Sequence, residues 1–262
     1  MPELPEVETF KRYIEARALR RRIVQVEVRN RTVLGAMGPE ELERKVEGGM
    51  FLSVRRHGKQ LFLELSSRGW LTWHFGMTGE PVLFEDDEVT RFPRVLFHFD
   101  RSTLAFDDPR MLGRIGWTED WEEFVHRKGL GPDALVISKD DFAERFGRAR
   151  GAIKPALLDQ HRMAGIGNIY ADEVLFQSRI DPRTEASALS REDLEAMHRI
   201  MRRVLRLSID RGTDFSAFPR SYLLHHRSKG ARCPGCGGTV RTTTLGGRTT
   251  YFCPACQGGR GR

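Results

Sequence analysis

The sequence predicts an α+β chain of several domains: a β-sandwich or barrel behind an opening helix, then a helical region, then a small metal-dependent hairpin. Three observations predict it. Short β-rich runs crowd the first 120 residues, helical periodicity takes over after residue 138, and all four cysteines fall in the last 30 residues as two Cys-x-x-Cys pairs.

In chain order, residues 6–20 form the opening helix, because Val7, Phe10, Ile14 and Leu19 share one face while charged residues occupy the others. Eight β-rich runs follow: Ile23 to Val28, Phe51 to Arg55, Leu61 to Leu65, Trp70 to Phe75, Pro81 to Phe84, Val95 to Phe99, Thr103 to Phe106 and Ile115 to Trp117. The first domain is therefore expected over 1–120. A charged connector over 121–138 contains the turn-forming Gly129-Leu130-Gly131-Pro132. Helices are then expected over Asp140 to Phe146, Pro155 to Gln160, Ile169 to Gln177 and Arg191 to Ser208, with Ser138 and Ser190 as N-caps, inside a helical domain over 139–225. The turn Gly165-Ile166-Gly167-Asn168 lies between two of them. Its glycines allow a left-handed backbone with outward N–H groups at a helix N-terminus, an arrangement suited to a phosphate and common without one.

The last segment, 226–262, holds Cys233, Cys236, Cys253 and Cys256 around a predicted hairpin with Gly246-Gly247 at its tip. Four thiolates at this spacing point to one structural Zn²⁺, with disulfides as the other reading. So small a segment with so few apolar residues needs the metal to fold. Charge concentrates here as well. From Arg199 onward 13 Lys/Arg face 2 Asp/Glu, whereas the preceding residues carry 30 against 34, so the net +7 is a local excess. Such a patch attracts polyanions or is a solvated face with no partner. No run of 18 apolar residues and no secretory signal is present, so membrane spans are not expected, and the chain reads as soluble and intracellular.

The opening Met1-Pro2-Glu3-Leu4-Pro5-Glu6-Val7-Glu8, the Gly-Ile-Gly-Asn turn and the four-cysteine hairpin occur in this order at full-length spacing. Together they resemble the formamidopyrimidine-DNA glycosylase and endonuclease VIII family. The resemblance covers essentially the whole chain. It implies that 139–225 is a helix-two-turn-helix DNA-binding domain and that the chain is a bifunctional DNA glycosylase and abasic-site lyase acting on damaged double-stranded DNA. Gripping one site between two domains suits a monomer, cytoplasmic and nucleoid-associated in a prokaryote.

The chemistry explains the terminus. Removal of Met1 would leave Pro2 as a secondary amine, with a reference basicity of about 7.7–8 for an α-amino group against about 10.4 for lysine. Its attack on C1′ of a damaged nucleotide gives an iminium with no nitrogen proton to lose, an obligatory electron sink. The resemblance makes Glu3 the proton carrier at the sugar, Glu6 its support and Lys59 a phosphate contact that helps the chemistry. It makes Asn168 and Arg248 phosphate ligands from the helical turn and the zinc hairpin, Lys154 a residue near the lesion and Tyr170 a further phosphate contact. It identifies Met77 as the filler of the void left by an everted base, Arg110 as the contact to the orphaned base and Leu112 as the wedge. Leucine there departs from the family's common aromatic residue, and Met111 from a common arginine. The segment between Ile209 and Lys229 is shorter than the one that caps 8-oxoguanine in members specific for that lesion. Weaker preference for 8-oxoguanine than for formamidopyrimidines, oxidised pyrimidines or abasic sites is therefore expected. The eight histidines show no ligand spacing and are given no catalytic role. The alternatives are an endonuclease VIII-like enzyme for oxidised pyrimidines or other lesions and, behind it, a non-enzymatic zinc-ribbon nucleic-acid binder, which the Pro-Glu pair at the terminus argues against.

Overall fold

The computed structural model describes residues 1–85 and 90–258. The last four residues of the expected zinc segment, 259–262, lie outside the described residues. Two compact units emerge: Met1–Pro2 with Glu6–Gly129, and Glu3–Pro5 with Leu130–Arg262.

Unit 1 holds most of the opening helix, α1 (Leu4–Arg17), and eight strands: β1 (Gln25–Val28), β2 (Phe51–His57), β3 (Gln60–Leu65), β4 (Trp70–His74), β5 (Glu80–Glu85), β6 (Pro93–His98), β7 (Ser102–Asp107) and β8 (Arg114–Thr118). All eight expected strands form, within one or two residues at each end. They build two antiparallel four-stranded sheets, ordered β1-β6-β7-β5 and β2-β3-β4-β8. Both sheets feed one core, where Trp73 stacks on Phe97 at 5.7 Å and meets Phe106 edge-on at 5.3 Å. His57 pairs with Gln60, so Gly58 and Lys59 form a two-residue hairpin turn whose first position takes φ +57°.

Three features differ from the expectation. The opening helix is Leu4–Arg17 rather than 6–20, and the chain turns at Arg20 with φ +58°. Helix α2 (Pro39–Val46) was not expected, because its apolar content is only Leu42 and Val46, too little for a periodic signal. The first seven residues of the expected connector 121–138 are helix α3 (Trp121–Arg127), which belongs to unit 1. Asp120 caps it, accepting from the N–H groups of Glu122 and Glu123, and Phe124 is its buried residue.

Unit 2 contains α4 (Lys139–Gly147), α5 (Ile153–Leu158), α6 (Asn168–Ser178), α7 (Arg191–Asp210), the hairpin β9 (Arg241–Leu245) and β10 (Arg248–Phe252), and the short α8 (Pro254–Gln257). Ser138 and Ser190 cap α4 and α7 through the N–H groups of Asp141 and Asp193. Helix α6 is buried on nearly every side and carries Asp172 and Glu173 into the interior. Leu4, 126 residues upstream of the rest of the unit, lies fully buried in the same core as Tyr170, Met197 and Met201. Among the described residues, no helix is long and apolar enough to cross a membrane.

Candidate active site

The residues singled out by the sequence fall into three local groups. The first is built around the chain's opening residues in unit 2. Glu3 is only 2% exposed, and its carboxylate accepts the N–H groups of Gly167 at 2.6 Å, Ile169 at 2.8 Å and Tyr170 at 3.4 Å. Those N–H groups are the unsatisfied donors at the start of α6, whose own N-cap, Gly167, has no side chain to offer. The helix is thus capped by a carboxylate 164 residues away in sequence, where negative charge also suits the helix dipole. Leu4 N–H adds a bond to Gly165 O at 3.1 Å.

This contact explains the two glycines. A Cβ on Gly167 would lie 2.3 Å from Glu3 Cδ, and one on Gly165 would lie 2.5 Å from Leu4 Cδ1, with Gly165 also at φ +119°. The turn is therefore shaped to receive Glu3 and Leu4. Of the two readings the sequence leaves open for this turn, with and without a phosphate, the second holds for three of its amides: Gly167, Ile169 and Tyr170 already donate to Glu3.

The second group ties the zinc hairpin to α6. Lys154, at the start of α5, is fully buried, pairs with Asp172 at 2.6 Å, and donates to Thr250 Oγ1 at 2.8 Å and Thr249 O at 3.2 Å. Asp172 also pairs with Arg227 at 2.9 Å and accepts Tyr251 N–H at 3.2 Å. Burial draws Lys154 below the usual lysine range and Asp172 above the usual carboxylate range, against their mutual attraction. Asn168 Nδ2 donates to Thr249 O at 3.1 Å, beside the exposed Arg248. Two expectations are corrected here. Lys154 is a strut under the hairpin, not an open cation, and the Tyr170 hydroxyl is buried against Ser208 Oγ at 2.6 Å, so neither side chain is presented to a phosphate.

At the hairpin's base the four cysteine sulfurs lie within 4.8 Å of one another, with Cys233 to Cys256 and Cys236 to Cys253 both at 3.6 Å. Tetrahedral thiolates at about 2.3 Å from zinc stand roughly 3.8 Å apart, so the donor set fits one Zn²⁺. The ion's contribution is structural, since four thiolates close its shell. Gln257 completes the knuckle: it accepts Cys253 N–H and donates to Ile180 O, just past the end of α6, both at 2.8 Å.

The third group lies in unit 1. Asp108 is fully buried and accepts from Thr78 Oγ1 at 2.7 Å, Arg110 N–H at 3.2 Å and Gly113 N–H at 2.7 Å. It thereby joins the turn carrying Met77 to the loop carrying Arg110, Met111 and Leu112. The two backbones touch so closely that a Cβ on Gly76 would lie 2.4 Å from the Leu112 carbonyl carbon. Arg94 braces the same loop by donating to Asp108 O and Pro109 O. What projects is the set of side chains above this brace: Leu112 is 45% exposed, Arg110 is exposed, Met111 sits at φ +54° and Met77 is half-buried. An exposed leucine on a braced loop is no core residue.

Glu6 and Lys59 are half-buried in unit 1. One neighbour of Lys59 was missed. His74, at the end of β4, accepts Gly76 N–H on Nδ1 at 3.2 Å, and burial together with Lys59 and Arg114 lowers its basicity. With Nδ1 accepting that bond, the ring proton belongs on Nε2. No metal-ligand spacing could reveal that; the signal is its position beside Gly76 and Met77.

Comparison with known proteins covers the whole chain. Residues 1–115 match the family profile described as formamidopyrimidine-DNA glycosylase N-terminal domain, 129–219 match formamidopyrimidine-DNA glycosylase H2TH domain, and 230–258 match the zinc finger found in FPG and IleRS. The chain is 37% identical to a formamidopyrimidine-DNA glycosylase of Pelobacter propionicus, over 98% of this chain and 100% of that one. With a formamidopyrimidine-DNA glycosylase of Arabidopsis thaliana the identity is 34%, over 98% of this chain and 71% of the relative. Among solved structures, Lactococcus lactis Fpg in complex with DNA containing an abasic site superposes with TM-score 0.89 at 28% identity, covering 97% and 99% of the two chains. The same enzyme with DNA containing an oxidised pyrimidine gives 0.90 at 28%, covering 98% and 99%.

Proposed function

The chain belongs to the formamidopyrimidine-DNA glycosylase family, and from that premise we propose that it removes oxidised bases from duplex DNA and then cleaves the strand through an iminium on Pro2. The observation that best supports this reading is the anchoring of Glu3. A nucleophile at residue 2 must be held near its target to gain rate, and a frayed terminus would not be. Here the next residue makes three backbone hydrogen bonds, and the one after it is packed in a core.

With Met1 removed, the Pro2 lone pair attacks C1′ and the glycosidic electrons leave with the base, which takes up a proton. Ring opening of the sugar, aided by Glu3, gives the C1′ iminium. Its positive nitrogen accepts the electrons released when C2′ loses a proton, and the 3′ phosphate leaves. A second elimination then expels the 5′ phosphate, and water releases Pro2. Lys59, His74, Asn168 and Arg248 hold phosphates; Met77, Arg110 and Leu112 fill the space left by the everted nucleotide. Lys154 and Tyr170 support this work from the interior.

Borohydride trapping on abasic-site duplex tests the reading. A covalent adduct on an N-terminal peptide that starts at Pro2 is expected, and Pro2→Gly or an uncleavable N-terminal extension should lower it by about 10²-fold. An adduct through a lysine, or strand cleavage by protein that retains Met1, would overturn it.

The lesion preference is proposed with less 8-oxoguanine activity than formamidopyrimidine, oxidised-pyrimidine or abasic-site activity. Within the short segment after α7, Phe218 and Tyr222 are buried and meet edge-on at 5.7 Å, so its aromatic residues are spent on the core rather than on a projecting cap. Relative excision rates on a lesion panel decide it, and a strong 8-oxoguanine preference defeats it.

A further inference from the structure

One charged surface is left unused by this chemistry. Helix α7 buries Leu194, Met197, Met201, Val204 and Leu205 against the unit 2 core. On its opposite side Arg199, Arg202, Arg203 and Arg206 recur at the spacing i, i+3, i+4, i+7, which gathers side chains on one face. None of the four has a carboxylate partner among the described residues. The nearby acids are engaged elsewhere: Glu195 pairs with Lys139 and Arg191. Asp210 is the one acid lining the groove of 610 Å³ that these arginines border. Like charges three and four residues apart destabilise a helix, and no ion pair among the described residues relieves them. His198 lines the same groove, and burial, with Arg202, Arg199 and Lys139 nearby, lowers its basicity.

We propose that this face holds the phosphate backbone of a second segment of duplex DNA, separate from the segment that carries the lesion. Guanidinium groups match phosphate oxygens in geometry as well as charge. The stripe from Arg199 to Arg206 spans about 10 Å of helix, against which a duplex presents about six phosphate charges at one per ~1.7 Å. An acidic protein partner would need an apolar or aromatic centre to its interface, and single-stranded nucleic acid would need stacking platforms. The groove has neither: Leu207 is its one apolar lining residue. The stripe faces away from the core side of α7, on which α6 and Tyr170 lie.

The inference rests on the reading that the chain works on duplex DNA, and the experiment separates the two. Full-length protein is first loaded with an uncleavable abasic-analogue duplex, and an undamaged duplex carrying a second label is then titrated at several salt concentrations. Wild type should hold both. R199Q/R203Q/R206Q, with good helix formers at exposed positions, should keep the first complex and its single-turnover excision rate. It should bind the second duplex at least tenfold more weakly at low salt, with a log–log salt slope smaller by about 2 to 3. R199K/R203K/R206K should restore most of that slope. A wild type that holds no second duplex, or a glutamine variant that holds it as well as wild type does, overturns the proposal. Failure to bind the first duplex would instead count against the proposed function.

Discussion

Two buried carboxylates do the same mechanical work in different units. Glu3 gathers the N–H groups of a glycine turn in unit 2, and Asp108 gathers those of a glycine-flanked loop in unit 1. Glu3 is itself a candidate for the chemistry, so the group that would move protons also fixes the backbone beside Pro2, the proposed nucleophile. Asp108 touches no reacting atom; it is a positioning residue that holds Met77 and Arg110 to Leu112 outward. The Glu3 carboxylate is thus buried and immobilised, whereas the loop of Arg110 to Leu112 is braced from below and left exposed.

Metal removal should separate the two regions most sharply. Chelation is expected to abolish duplex binding by releasing the hairpin that carries Arg248, while the unit 1 clamp persists. All four tryptophans lie between Trp70 and Trp121, so their fluorescence reports unit 1 alone. A chelated protein that still binds tightly, or whose tryptophan spectrum shifts to that of unfolded protein, would break the distinction. Next in size, Gly167→Ala replaces no candidate catalytic residue, yet its added Cβ should displace Glu3, lowering single-turnover excision by about 10²-fold, as an ångström-scale misplacement does. Unchanged excision would show that the cap at α6 does not position the terminus. Asp108→Asn replaces an acceptor with a donor facing Gly113 N–H, a loss of about 1–3 kcal/mol. Roughly tenfold weaker binding of a lesion duplex is expected, with the trapping rate at saturating enzyme nearly preserved; a loss confined to the chemical step would contradict a positioning role.

The smallest effect concerns a third buried carboxylate. Glu173 accepts from Leu223 N–H, Leu224 N–H and Gln177, yet burial pushes its pKa up to about 7. Because the folded value lies above the unfolded one, the protonated form favours the fold. That stabilisation is complete below about pH 4.5 and is lost as pH rises through 7. The Tm difference between Glu173→Gln and wild type should therefore change between these values, by a few degrees, and stay flat outside them. A difference constant with pH would mean that Glu173 does not titrate there.

Much of this was legible in the sequence wherever the signal was local. Eight strands, four helices, two serine caps and the cysteine pairs each depend on residues within one turn or hairpin of one another. The helices α2 and α3 escaped because one or two apolar residues make no period. The deeper misses have one cause: partners far apart along the chain. Nothing near Gly165 and Gly167 says that Glu3 and Leu4 fill the turn. Lys154 looks like a surface cation until Asp172 and Thr250 close around it, and Tyr170 looks available until Ser208 takes its hydroxyl. The Asp108 brace was likewise invisible, since its partner Thr78 lies 30 residues upstream.

Helix α6 is held at one end by Glu3 and beyond the other by Gln257, whose side chain clasps both the Ile180 carbonyl and the Cys253 amide. Its 11 residues make a rod about 16 Å long. Oxidation of the zinc thiolates would therefore loosen one end of the same rod whose other end seats Glu3, the residue after the proposed nucleophile, and would make excision sensitive to cellular redox state through a purely mechanical linkage.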